Sequence, residues 1–315
     1  WKGETGNAID LRLNYYQGER TPAGVGVTIA AMTGGTVNPL VNDAIMAIGA
    51  TQYDTIVMPW LDATNLTALE TELSNRWGPM VQKEGHAFAS ATGTHASLIT
   101  LGNGRNSPFL TIVGAGKAPG APWTWAAAAA GVDAAEPDPA RPRQTLALVG
   151  LLAPAEADQF TRAERDLLLR DGIATYTVDA GGVPRIERLI TTYQLNASGI
   201  ADTSYLDIET MRTLAYLRYT VRARFAQKYP RHKLADDGTR YGPGQAIVTP
   251  ATIRAELLVL FTEWEAAGLA ENLKQFQAEL VVERNATDRN RVDAVIPPDL
   301  INQFRVIAAQ VQFLG

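Results

Sequence analysis

Short runs of β-branched and other apolar residues alternate, over the first two thirds of the chain, with longer stretches whose apolar positions recur every three or four residues. These are the two periods of strands and helices. Residues 25–32 are β-rich; Asn38-Pro39 then offers an N-cap with proline at the first helical position, and Val41, Ala44, Ile45 and Ile48 follow at helical spacing up to Gly49. Residues 55–58 read as a short strand, and Asn65 as the cap of a helix with the stripe Leu66, Leu69, Leu73 and Trp77. Strands are expected at 87–90 and 109–113 with a helix at 95–101 between them, and Pro122 opens a helix through the alanine run to 135. A β-α-β-α order predicts an α/β fold, a largely parallel sheet flanked by helices on both faces. Residues 136–143 form a proline-rich crossing loop, 146–151 one more buried strand, and 161–170 a helix ended by Asp171-Gly172. Residues 175–178 are expected to pair with 186–193 through the Gly181-Gly182 turn.

The character changes near Asn196, where a domain boundary is placed. Asp202 or Thr203 is expected to cap a long helix to about 229, with Met211, Leu214, Leu217, Val221 and Phe225 as its stripe. A polar loop follows, and Thr249-Pro250 starts a second helix with Ile253, Leu257, Leu260, Phe261 and Trp264 on one face. Its other face, with Ala255, Leu258, Val259, Thr262 and Ala266, is too apolar for free solvent; it is either buried within the domain or a contact. Residues 280–283, 292–296 and 304–313 are strand-like.

Composition narrows the function. The 315 residues are 46% hydrophobic and 19% charged, enough for one large or two ordinary domains. A formal net charge of −5 argues against a protein built to hold nucleic acid. Without cysteine there is no thiol nucleophile and no thiolate metal site, and no apolar run approaches the roughly 18–20 residues of a membrane span. The chain opens at Trp1 rather than methionine, as expected of a fragment or a processed product.

The sheet pattern alone permits an α/β hydrolase or a nucleotide-binding enzyme, but the chemistry is missing. Gly114-Ala115-Gly116-Lys117-Ala118 would be the end of a P-loop, yet the pattern requires glycine at Thr111 and serine or threonine at Ala118. Gly102-Asn103-Gly104 lacks the third glycine of a dinucleotide fingerprint and precedes a strand instead of following one. His86 and His95 could be neighbours across a strand-helix pair but have no matched carboxylate, Asp54 has no partner nearby, and no nucleophile elbow occurs. No catalytic, cofactor or metal residue is assigned.

Several stretches carry a resemblance. Gly6-Asn7-Ala8-Ile9-Asp10 with Asn14-Tyr15-Tyr16, residues 28–38, 69–79 and 171–176, and above all residues 204–218 (Ser-Tyr-Leu-Asp-Ile-Glu-Thr-Met-Arg-Thr-Leu-Ala-Tyr-Leu-Arg) resemble the contractile tail sheath proteins of Mu-type bacteriophages. Residues 230–234 and 297–300 support it. The resemblance implies a subtilisin-like sheath domain over residues 1–195, in fold only, and an α+β C-terminal sheath domain over 196–315 that faces the tube and serves assembly. It implies members longer at the N-terminus. It also implies hexameric rings stacked helically around a tail tube protein, with baseplate and tail terminator proteins as further partners and neither nucleic acid nor membrane. The place would be the virion tail, assembled in the bacterial cytoplasm.

Two contact regions follow. Alternation at Gln310-Val311-Gln312-Phe313 suits a half-buried strand. Arg305, Val306, Ile307, Gln310, Val311, Gln312 and Phe313 either close the domain's own sheet or, as terminal arms of resembling sheaths imply, join a neighbour's. Seven cations between Tyr205 and Lys233 stand against Asp207 and Glu209. Of these, Arg212, Arg222, Arg231 and Lys233, with Leu258 and Val259, are the candidate tube or neighbour contacts; a solvated or internally paired face is the competing reading.

Overall fold

Parallel strands need crossovers, and the helical stretches supply them. The structure, a computed structural model, describes residues 37–312. Its main sheet has five strands, β1 (Thr55–Val57), β2 (His86–Thr92), β3 (Leu110–Gly116), β4 (Ile173–Val178) and β5 (Pro184–Arg188), in that spatial order. The first four are parallel, and β5 runs antiparallel to β4 through the Gly181-Gly182 turn. In β2 Ala87, Ala89 and Ala91 bury against one cluster with Leu66, Leu69, Leu98 and Leu168, while Phe88 faces a second cluster with Trp125, Ala129 and Tyr176. The central strands are thus apolar on both faces. Among the described residues, helices α1 (Asn42–Ile48), α2 (Ala63–Trp77), α3 (His95–Asn103), α4 (Pro122–Ala135) and α5 (Arg162–Arg170) accompany this sheet.

The chain divides into two compact units, residues 1–137 with 143–211, and residues 138–142 with 212–315. α6 (Ile208–Lys228) carries the division between Met211 and Arg212. The second unit also holds α7 (Pro250–Ala266), α8 (Leu273–Glu279) and three two-stranded pairs. These pairs are β6 (Lys233–Leu234) with β7 (Ile247–Val248), β8 (Ala270–Glu271) with β11 (Asp299–Leu300), and β9 (Val281–Arg284) with β10 (Val292–Val295). Its core is Leu217, Leu257, Leu260, Phe261, Trp264 and Phe276, with Phe261 stacked on Phe276 at 4.2 Å.

Several expected boundaries shift, three of them because a polar side chain finds a better partner. Asn38 does not cap α1; its amide donates to Asp62, 2.9 Å away, and the helix starts at Asn42. Asp62, not Asn65, caps α2 by accepting from the Asn65 amide at 3.0 Å. Asn65 is instead buried, accepting from the Val41 amide and donating to the Pro39 carbonyl, so it holds the segment leading into α1. The long helix starts at Ile208 rather than near Asp202, whose carboxylate is taken by Tyr193 and Ser204. Residues 146–151 form no strand. Leu146 and Leu148 exchange backbone bonds with Ile186 and Pro184 beside β5, and Gly150, at φ 83°, then turns the chain away with Val149 exposed. β5 ends at Arg188, short of 193. The β-rich residues 25–32 lie outside the described residues.

Candidate assembly surfaces

In open α/β sheets, ligands bind outside the carboxyl ends of the parallel strands. Here that crevice is filled. Gly116 ends β3 at φ 62°, and Phe160 lies over it so closely that a Cβ there would come within 3.0 Å of its ring. His95 meets the same ring edge-on at 6.0 Å and bonds the Glu164 carbonyl at 3.1 Å. Lys117 pairs with Asp158 at 2.5 Å instead of awaiting a phosphate. Gly114 is there for packing, since a Cβ would stand 2.8 Å from Ile173. A cavity of about 240 Å³ remains beside Phe160, and its one cation, Arg165, is held by Glu187 at 2.7 Å.

The histidines are not neighbours. His86 begins β2, buried against Thr111 at 2.8 Å, whereas His95 follows the strand's other end. At about 3.3 Å per residue the strand separates them by roughly 20 Å. Asp54 is engaged by Gln52 at 2.8 Å. Among the described residues no group of three or more acids or histidines could hold a metal, and no helix is long and apolar enough to cross a membrane.

The second unit carries the exposed features. Residues 301–306 alternate between half-buried and exposed, with Ile301, Gln303 and Arg305 toward the unit and Asn302, Phe304 and Val306 outward. From Val306 to Gln312 every residue is exposed, Val311 at 96%. The expected strand over 304–313 is therefore not formed within the described chain, and it closes no sheet there. The pattern suits a strand, but strand structure needs a partner's ladder, which local sequence does not provide. Val306, Ile307, Gln310, Val311 and Gln312 belong to an uncharged, exposed tail after Arg305 that forms neither helix nor strand, and Phe313 lies outside the described residues.

The apolar outer face of α7 is not buried either. Leu257, Leu260, Phe261 and Trp264 point into the core, while Ala255, Val259, Thr262 and Ala266 are exposed and Leu258 is half-buried.

The cations divide into two sets. α6 and α7 run antiparallel: Trp264 donates to Thr220 at 3.0 Å, Arg224 binds Glu263 and Glu256, and Lys228 binds Glu256. Burial pushes the Glu256 carboxyl up, but Lys228, Arg224 and Tyr229 hold it below its ordinary range. Arg224 and Lys228 are thus internal fasteners. Their counter-ions Glu256 and Glu263 lie about thirty residues further along the chain, whereas Asp207 and Glu209 are the acids close to the cluster in sequence. Arg212 and Arg222, half-buried on α6 beside exposed Tyr216 and Tyr219, make contacts of their own within the chain. Arg231, in the turn after α6, and Lys233, at the start of β6, are both exposed, and Lys233 bonds Gln245 at 3.1 Å.

An enzyme-like sheet with a plugged crevice, joined to a unit that exposes an arm, an apolar helix face and a cationic loop, defines a structural assembly protein. The phage tail sheath protein central domain matches residues 34–192, and the phage tail sheath C-terminal domain matches residues 201–314. The chain belongs to the phage tail sheath family, a family of structural proteins rather than enzymes. It is 48% identical over its whole length to the Mu-like prophage FluMu tail sheath protein of Haemophilus influenzae, of which it spans 65%. Its fold is that of a sheath tail protein from Listeria innocua, with a TM-score of 0.61 at 14% identity over 89% of this chain and 62% of that one. It is also similar to the anti-feeding prophage helical sheath in its contracted state, at TM-score 0.51 and 13% identity over 86% of this chain and 72% of that one.

Proposed function

We propose that this chain is a structural subunit of a contractile tail sheath, polymerising with copies of itself around a tail tube that contraction drives through the host envelope. Its place is the virion tail, reached by assembly in the host cytoplasm as hexameric rings between baseplate and tail terminator. Residues 1–195 act as the subtilisin-like domain, and 196–315 as the tube-facing assembly domain. The observation that carries this reading is the arm. Residues 306–312 are uncharged and exposed, and paired as a strand they would span about 23 Å of backbone, enough for a strand of ordinary length. The unit that bears the arm also offers an acceptor. β9 and β10 form a two-stranded sheet, held to the core through Val282, with Val281 and Val295 exposed and no further strand of the described residues beside it. One copy's arm adds to a neighbour's pair, so subunits can move during contraction without detaching.

Negative-stain microscopy of the intact protein that carries this sequence, co-expressed with its tube, is expected to show cylinders of regular striation. Particles that stay monomeric with tube present count against the sheath reading. Val259→Asp, on the exposed face of α7, is expected to leave the melting temperature within about 2 °C and to shorten or abolish the cylinders. A large fall in melting temperature would show that this face is core.

A further inference from the structure

The second unit is electrically polarised along α7. At the N-terminal end of that helix the loop 235–246 is tied down at its base. Asp237 accepts from the Ala251 amide at 3.0 Å, and Asp236 is clamped by Arg284 at 3.0 Å and Arg289 at 2.7 Å. Both loop acids stay at the surface, Asp236 offset by two arginines and Asp237 engaged by a backbone amide. Arg240 and Tyr241 are left exposed at the tip, between Gly238 at φ 80° and Gly244 at φ 77°, with Arg231 and Lys233 exposed alongside. The opposite end of α7, roughly 21 Å away by helical rise, presents Glu265 and Glu271 exposed, with Glu263 and the nearby Asp299, against Lys274. Arg224, which binds Glu263, and Arg218 and Arg222, further along α6, are all engaged within the chain.

This charge placement gains nothing for the helix itself. Acidic side chains at a helix C-terminus oppose the macrodipole, and the last turn of α7 has no basic residue to offset them. A cationic tip at one end and acids at the other, on an acidic protein, are self-complementary only head to tail.

We propose that the C-terminal unit associates head to tail with a second copy of this chain, the Arg231–Lys233–Arg240 loop of one copy seated on the Glu265–Glu271 end of the next. The proposal rests on the sheath reading and deepens it: a heterologous contact of this kind repeats without closing on itself, as a helical array requires.

Two charge-reversed forms of the intact protein test it: Arg231→Glu with Arg240→Glu, and Glu265→Lys with Glu271→Lys. Each alone is expected to keep the wild-type circular dichroism and melting curve and to lose ordered cylinders, with at least a tenfold rise in the concentration needed to assemble. Mixed in equal amounts, the two forms are expected to copolymerise, because each reversed loop then faces a reversed acidic end. Raising salt should weaken wild type and mixture alike. Either form assembling alone as wild type does, or a mixture that remains unassembled, overturns the head-to-tail contact. Wild-type cylinders in the same experiment keep that outcome separate from failure of the sheath reading.

Discussion

Deleting residues 306–315 from the intact protein is expected to abolish sheath polymerisation while leaving the melting transition unchanged. The cut is placed after Arg305 because that side chain is half-buried and engaged within the chain. Beyond it every described residue is exposed, so the fold loses almost no buried area. Assembly loses much more. An arm that adds to a neighbour's sheet through about five main-chain bonds, at about 1 kcal/mol net each, accounts for on the order of 10³–10⁴ in association constant. Burial of Val306, Ile307 and Val311 in the joint would add to this. Sedimentation velocity and microscopy read the first effect, and thermal unfolding reads the second. Normal cylinders from the truncated protein would remove the arm as the joint; a coincident loss of fold would show that it belongs to its own domain.

Arg143→Met is expected to destabilise the first unit by about 3–5 kcal/mol, lowering its melting temperature by roughly 6–20 °C. Arg143 is 1% exposed, and its guanidinium Nε donates to Asp133, also buried, at 3.0 Å. Its backbone amide donates to Glu209, fully buried in the first turn of α6, at 2.9 Å. Removing the cation leaves the Asp133 carboxylate buried without its guanidinium, while Glu209 keeps the backbone amide; an uncompensated buried charge is the costly result of breaking such a pair. The double variant Arg143→Met with Asp133→Leu should recover part of the loss, a coupling that thermal unfolding of the four-member cycle measures. A single-variant loss below about 1 kcal/mol would contradict the burial described here.

Neither Arg143 nor Asp133 stands out in the sequence. Arg143 lies in a proline-rich stretch that reads as a surface crossing, and Asp133 reads as the polar end of the alanine helix. Their pairing depends on where α4 places Asp133, ten residues back along the chain. The same holds for Glu256, whose partners Arg224 and Lys228, about thirty residues away, belong to a run of seven cations that shows only Asp207 and Glu209 close in sequence. Arg240 carries no local signal as a loop residue; only the pairing of Asp236 with Arg284 and Arg289, distant in the chain, shows that this acid does not offset it. The plug over the crevice was missed too, because nothing around Phe160 signals that its ring will rest on Gly116.

What the sequence determined by itself is whatever local periodicity and backbone chemistry dictate. The β2 and β3 runs, the α4 helix opened at Pro122, the α5 helix that follows Thr161 and the Thr249-Pro250 start of α7 all stand where the pattern puts them. The quoted motifs were enough to name the family. Tertiary structure decided the rest, because it turns on partners distant in the chain. Asp62 rather than Asn65 became the cap once Asn65 was drawn to Val41, and 146–151 was left as a segment beside β5 once Gly150 turned. A strand pattern in residues 304–312 became an exposed arm for the same reason: a helix closes its hydrogen bonds within itself, whereas a strand must borrow them from another segment.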